Sequence, residues 1–253
     1  MTHPITQREE EIFNKLRRQE DFADGLFRDG APRPDVYEQQ SYKVVFVFRE
    51  PNLEGENFDL DMRAQVRNED PNDPLRSAPS ARGWWRGKVG AFAHAVQHSM
   101  SERDVEERFQ DFCALRDSSP REAPVDYLFP FAFMQVKKRG GGGVQHAGEV
   151  YYYTRRYRHE LAAQLGIYQP DLVVGCGRGQ SAPADLIRDL VLPQHFGEER
   201  QTRSGFRWWR ASAAAGRPGA LLEYNHPSAR TSRLALYREL AEAVAEIRTT
   251  LGS

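Results

Sequence analysis

Short apolar runs, too brief to cross a membrane and too continuous for a strand wetted on one side, constrain this chain most. Residues 43–48 read Lys-Val-Val-Phe-Val-Phe, a second run spans 126–136, and a third spans 171–175. A strand exposed on one face alternates apolar and polar side chains, whereas a strand covered on both faces does not. Helical patterns fall at 84–100, 101–115, 149–165, 182–191 and 232–249, with further strands expected at 206–211 and 220–224. Apolar strands alternating with helices predict an α/β fold. The expected form is a three-layer sandwich, with a central, mostly parallel sheet of about four strands and helices on both faces.

The 253 residues suit a single domain over 1–253, with its core at about 42–250. Residues 1–40 are expected to be an N-terminal helical extension, with a helix at 6–27 and a linker at 31–34. No internal repeat marks a second unit. No run approaches the ~20 apolar residues of a membrane helix. The polar, acidic first eleven residues do not read as a signal peptide. A cytoplasmic monomer is expected, nucleoid-associated when acting on DNA. Cys113 and Cys176 are too few for a four-thiolate cluster, and no His/Cys spacing suits zinc, so neither metal nor cofactor is expected. The net charge of −1 leaves nucleic acid open, because a local basic face matters more than the sum. The cations are mostly arginine, which grips phosphate in a fork. A GC-rich coding sequence accounts for the same bias.

In parallel α/β sheets, ligands bind beyond the carboxyl ends of the strands. That rule selects the loops 49–61, 137–143, 175–181 and 225–230. In Arg49-Glu50-Pro51-Asn52 the proline sets a sharp turn and holds a carboxylate at a strand end, where it can orient and deprotonate water. An ion pair between Glu50 and an arginine such as Arg49 is the structural alternative. In Asn225-His226-Pro227-Ser228 a neutral imidazole can donate to developing negative charge, or simply satisfy a backbone carbonyl.

Together these motifs resemble the uracil-DNA glycosylase superfamily. Its members end a first strand in a carboxylate or amide before proline and a last strand in His-Pro-Ser. Here Glu50-Pro51 and His226-Pro227-Ser228 stand in that order. Between them, residues 132–138 look like the family's middle strand, and 170–177, opening Pro-Asp, like its third. The resemblance covers about 42–237. It implies a monofunctional DNA glycosylase that flips its base, with Glu50 activating water and His226 stabilising the departing base. It also implies base contacts from Asn52, Phe58 and Gln135, and DNA contacts from Lys137, Lys138, Gly177, Arg178, Ser228 and Arg230. Three positions depart from the family: Phe48 replaces a glycine, Asn52 a tyrosine that blocks the thymine methyl, and Gln135 the base-reading asparagine. The last two point away from plain uracil toward another modified pyrimidine, such as a C5-modified base of foreign or phage DNA, in repair or defence.

Two rival readings stand beside it. One is a catalytically silent member that binds DNA or a nucleotide. The other is an S-adenosylmethionine-dependent methyltransferase, suggested by Gly175-Cys176-Gly177-Arg178-Gly179. That loop comes late in the chain and lacks the acid such enzymes place before it, and GxGxG alone is a weak signal. Trp84, Trp85, Phe131 and Tyr151 to Tyr153 are further stacking candidates, and most aromatics of this kind are core. Arg155, Arg156 and Arg158 face either phosphate or solvent. Lys137 or Lys138 as a Schiff-base nucleophile would make the enzyme a lyase. The glycines at 140–143 would make either a closing loop or a plain connection.

Overall fold

The computed structural model describes residues 2–51, 59–69, 83–120, 123–139, 147–212 and 218–252. Strands β2 (Val44–Phe48), β4 (Ala132–Gln135), β5 (Leu172–Cys176) and β8 (Ala220–Tyr224) are mutually parallel, in the order β4-β2-β5-β8. Antiparallel β7 (Arg207–Ala211) and then β6 (Phe196–Gln201) extend the sheet beyond β8. The expected count of about four strands is therefore corrected to six, in a mixed sheet. β6 escaped sequence reading because its residues, Phe-Gly-Glu-Glu-Arg-Gln, are nearly all exposed. A charged outer strand is how sheets protect an open edge.

All residues of β2, β5 and β8 are buried. Successive side chains enter opposite cores. Val44, Phe46 and Phe48 join α4 (Gly90–Gln97), α5 (Val105–Ser118) and α9 (Arg233–Leu251), through residues such as Phe92, Phe112, Leu240 and Val244. Val45 and Val47 join α7 (Arg158–Tyr168) and α8 (Pro183–Leu186), through Leu161, Leu165 and Leu186. Gly175 lets α8 sit directly on β5, because a Cβ there would stand 2.6 Å from the Ala184 backbone nitrogen. One glycine of the methyltransferase-like pattern thus has a packing role. The Asp171 carboxylate accepts the Lys43 N–H at 2.8 Å and pins the start of β2 beside that of β5.

Several expected boundaries move. Helix α1 (Pro4–Arg17) buries Ile5, Glu9, Phe13 and Leu16 on one face and stops well before 27. Residues Phe27–Arg28 instead form β1, which pairs in parallel with β3 (Leu60–Asp61), followed by α3 (Met62–Arg67). The supposed linker leads into α2 (Pro34–Glu38), whose Tyr37 is fully buried. The N-terminal segment is bound into the fold rather than appended to it. The apolar run 126–136 is a 3-10 turn (Asp126–Leu128) and then β4, with Pro130 between them, where a strand would lack a ladder donor. The aromatic helix expected at 149–165 is two helices, α6 (Ala147–Arg156) and α7, broken at Tyr157. α5 is capped by Asp104, whose carboxylate accepts from Glu106 and Glu107 N–H, rather than opening at Ser101.

Candidate active site

The parallel strands bring four loop starts to one edge of the sheet. β4 leads to Lys137, β2 to Glu50, β5 to Gly177 and β8 to His226. Glu50 and His226 leave strands that flank β5, so their backbones are separated by two strand spacings, about 10 Å.

His226 is half-buried against aromatic rings. Its ring centroid lies 6.2 Å from Trp84 and 6.4 Å from Phe48, and Phe48 in turn lies 5.4 Å from Trp84. Pro227 turns the chain so that Ser228 N–H donates to His226 Nδ1 at 3.1 Å. An accepting Nδ1 places the ring proton on Nε2. Burial first, then the charges of Arg49 and Lys88, lower the His226 pKa to about 4. The imidazole is therefore neutral at pH 7, with one N–H to give. Ser228 Oγ accepts from Trp84 Nε1 and Lys88 Nζ, each at 3.2 Å, and ties the His-Pro-Ser turn to the π-helical turn Trp84–Val89 that precedes α4.

Among the described residues Glu50 makes no ion pair with an arginine. Its Oε2 accepts from Lys137 Nζ at 2.8 Å, and the same ammonium reaches Glu149 Oε1 at 2.9 Å. The Lys137 side chain is 1% exposed and that of Glu50 is 9% exposed. Burial opposes the Lys137 charge, but the hydrogen bonds it donates to Glu50 and Glu149, together with their charges, outweigh burial and raise the pKa. Lys138 is buried as well, with Nζ 2.7 and 2.8 Å from the Asp29 carboxylate oxygens. The phosphate contacts expected of Lys137 and Lys138 are thus corrected: both ammonium groups are consumed inside the protein. Schiff-base chemistry needs a free, neutral amine, and a raised pKa between two carboxylates works against it at Lys137.

Gln135 pairs in register with Phe48 and is almost fully buried, with Oε1 lacking a partner among the described residues. By strand alternation it shares the face of Phe131 and Phe133 rather than that of Met134. That face also carries Phe48 and Trp85, so an unpartnered amide oxygen stands on the aromatic side of the sheet. Asn52 and Phe58 lie outside the described residues, as does the glycine run at 140–143.

Gly177 has φ +135°, and its N–H donates to the Tyr224 carbonyl at 2.8 Å. That N–H is thus used within the fold, next to the β5–β8 pairing. The Arg49 guanidinium packs there, with Nε 3.6 Å from where a Cβ would stand, and Nη1 donates to the Gln180 carbonyl at 3.3 Å. Arg49 Nε is buried without a partner among the described residues. Arg178 is exposed at this edge, with Nε 3.8 Å from buried Glu223. Ser228 and Arg230 are also exposed. Sequence reading passed over Lys88 and Glu149, because a lone charged residue inside a helical pattern looks like any solvated position.

Among the described residues, no group of three or more His, Cys, Asp or Glu is placed to hold a metal ion, and no helix is long and apolar enough to cross a membrane. Cys113 and Cys176 are free thiols. No family model and no curated protein matches the chain.

Proposed function

We propose that the protein is a monofunctional DNA glycosylase that hydrolyses the N-glycosidic bond of a modified pyrimidine. One juxtaposition carries the proposal: a shielded carboxylate, Glu50, and a neutral Nε2–H imidazole, His226, follow strands β2 and β8 at one edge of the sheet, with His226 against the rings of Phe48 and Trp84. A base within the duplex stack is out of reach, so the nucleotide swings out at a cost of a few kcal/mol. Trp84, which is only partly buried, offers ring surface to it, and Gln135 an unpartnered amide oxygen for its edge. As the C1′–N bond breaks, the sugar becomes cationic and the base anionic. Glu50 opposes the first charge and orients the water whose oxygen bonds to C1′. His226 donates a hydrogen bond to the second, and the water's proton ends on the departing base. Arg178, Lys88, Ser228 and Arg230 rim the crevice as DNA contacts.

Gln135 is one methylene longer than the family's asparagine, which moves the amide by ~1.5 Å and favours a pyrimidine other than plain uracil. A C5-substituted base of foreign DNA is the preferred substrate, and uracil the alternative. A second reading, a silent DNA-binding member, draws support from Lys137, whose charge sits directly on Glu50. Duplexes carrying uracil and C5-substituted uracils and cytosines, treated with protein and then alkali, separate the readings. Strand breaks at one modified pyrimidine are expected. Tight binding without a break at any base would establish the silent reading.

A further inference from the structure

The Lys137 ammonium raises a difficulty for any carboxylate meant to face a cation. Paired with Glu50 alone, it would cancel the charge the sugar needs. Lys137 is not paired with Glu50 alone: its Nζ lies 2.8 Å from Glu50 Oε2 and 2.9 Å from Glu149 Oε1. Two carboxylates and one ammonium sum to −1. The trio is held from several sides. Lys137 N–H donates to the Arg49 carbonyl at 2.9 Å, which fixes β4's end against that of β2. Ser181 Oγ donates to the Ala147 carbonyl at 2.8 Å, which ties the first turn of α6, and Glu149 with it, to the loop after β5. The Lys137 ammonium also lies 5.5 Å from the centre of the Tyr153 ring.

We propose that Glu149 is a positioning residue for the glycosylase reaction: by sharing Lys137, it leaves Glu50 with net negative charge where the sugar turns cationic. The inference rests on the reading of Glu50 given above. Stability alone does not call for Glu149. Its side chain is 44% exposed, and ion pairs with so wet a partner contribute about 0–1 kcal/mol. Its position matters because the other end of the bridge is shielded. With Glu149 neutral, all of the Lys137 charge falls on Glu50.

The test compares two duplexes, one with a protonated pyrrolidine in place of the target sugar and one with neutral tetrahydrofuran. Affinities for both are measured for the wild type, Glu149→Gln, Lys137→Met and the double variant, beside single-turnover excision. The wild type should prefer the cation. Glu149→Gln should lose about tenfold of that preference and about tenfold in rate, with tetrahydrofuran binding little changed. The double variant should recover both, since no ammonium then draws on Glu50 and Arg49 is the same in every variant. A purely structural Glu149 would give no such recovery. The inference is overturned if Glu149→Gln keeps the cation preference, if the double variant is no better than Glu149→Gln, or if the wild type shows no preference. Should Lys137→Met unfold the protein, Glu149→Gln on the two duplexes decides. A wild type that prefers the cation yet excises no base would refute the glycosylase reading and leave the charge balance standing.

Discussion

Lys137 and Lys138 are sequence neighbours, both almost fully buried, yet they end in unlike company. Lys138 belongs to a closed network. Its partner Asp29 also accepts from Gln135 N–H at 2.6 Å and Gln164 Nε2 at 2.7 Å, and Gln164 leads through Tyr168 to Glu9 and Arg63. Each of these residues is buried, part-exposed Glu10 and Asp61 joining only beyond Arg63, and Gly30 is needed because a Cβ there would overlap the Glu9 carboxylate. Burial pulls the Lys138 pKa down despite Asp29, whereas that of Lys137 stands raised. The Lys137 cluster differs in that its half-exposed member, Glu149, bonds the lysine directly, and in including Glu50 at the carboxyl edge of the strands. A closed network holds the N-terminal segment on the sheet. An open one can answer a ligand.

The largest effect should come from opening the closed network. Asp29→Ala strands the Lys138 charge and should cost about 3–5 kcal/mol in urea unfolding, while Glu149→Gln should cost less than about 1 kcal/mol. Equal losses would erase the distinction between the two clusters. Next, His226→Ala removes the proposed donor to the departing base. It should lower single-turnover excision by about 10²–10³, with little change in melting temperature.

The third prediction is a pH profile. Because the His226 pKa is lowered to about 4, the rate should not fall between pH 8 and 5 through this group, and should drop as pH passes about 4. Stability follows the same sign. The unfolded imidazole, with its pKa near ~6.5, takes up a proton first, so stability falls as pH drops from there toward the folded value. His94, also lowered to about 4, shares that window, so the His226 ring signals must be followed individually by NMR. Protonation of His226 near pH 6.5 would remove the neutral-donor role. The smallest effect is expected at Arg230. Arg230→Ala should cost a few-fold on paired duplex and nothing on single strands, which require no unstacking. Equal losses on both would place Arg230 outside the groove.

Sequence alone located β8 at its observed bounds, and β2, β5 and α9 within two residues, because full burial and helical periodicity leave plain patterns. Glu50 and His226 stood out because a proline follows each at a strand end. What stayed hidden depended on pairing at a distance. The break at Tyr157 carries no glycine or proline, and the two-residue β1–β3 ladder is too short for a pattern. Lys137-Lys138 before a glycine run reads as an exposed phosphate site. Only the folded N-terminal segment, which brings Asp29 and Phe13 over Lys138, and α6, which brings Glu149 to Lys137, reverses that reading. A residue 12 positions downstream, in the helix that follows, leaves no local trace in the motif it completes.

The central claim is that Glu50 acts on the reacting sugar, and Glu50→Gln tests it most directly. The substitution keeps the shape and a hydrogen-bond acceptor for Lys137 while removing the charge. On the best substrate of the base panel, single-turnover excision should fall by about 10²–10³, with duplex affinity within about threefold of wild type, because the lost interaction belongs to the transition state. A Glu50→Gln protein that excises at a near-wild-type rate would contradict the account.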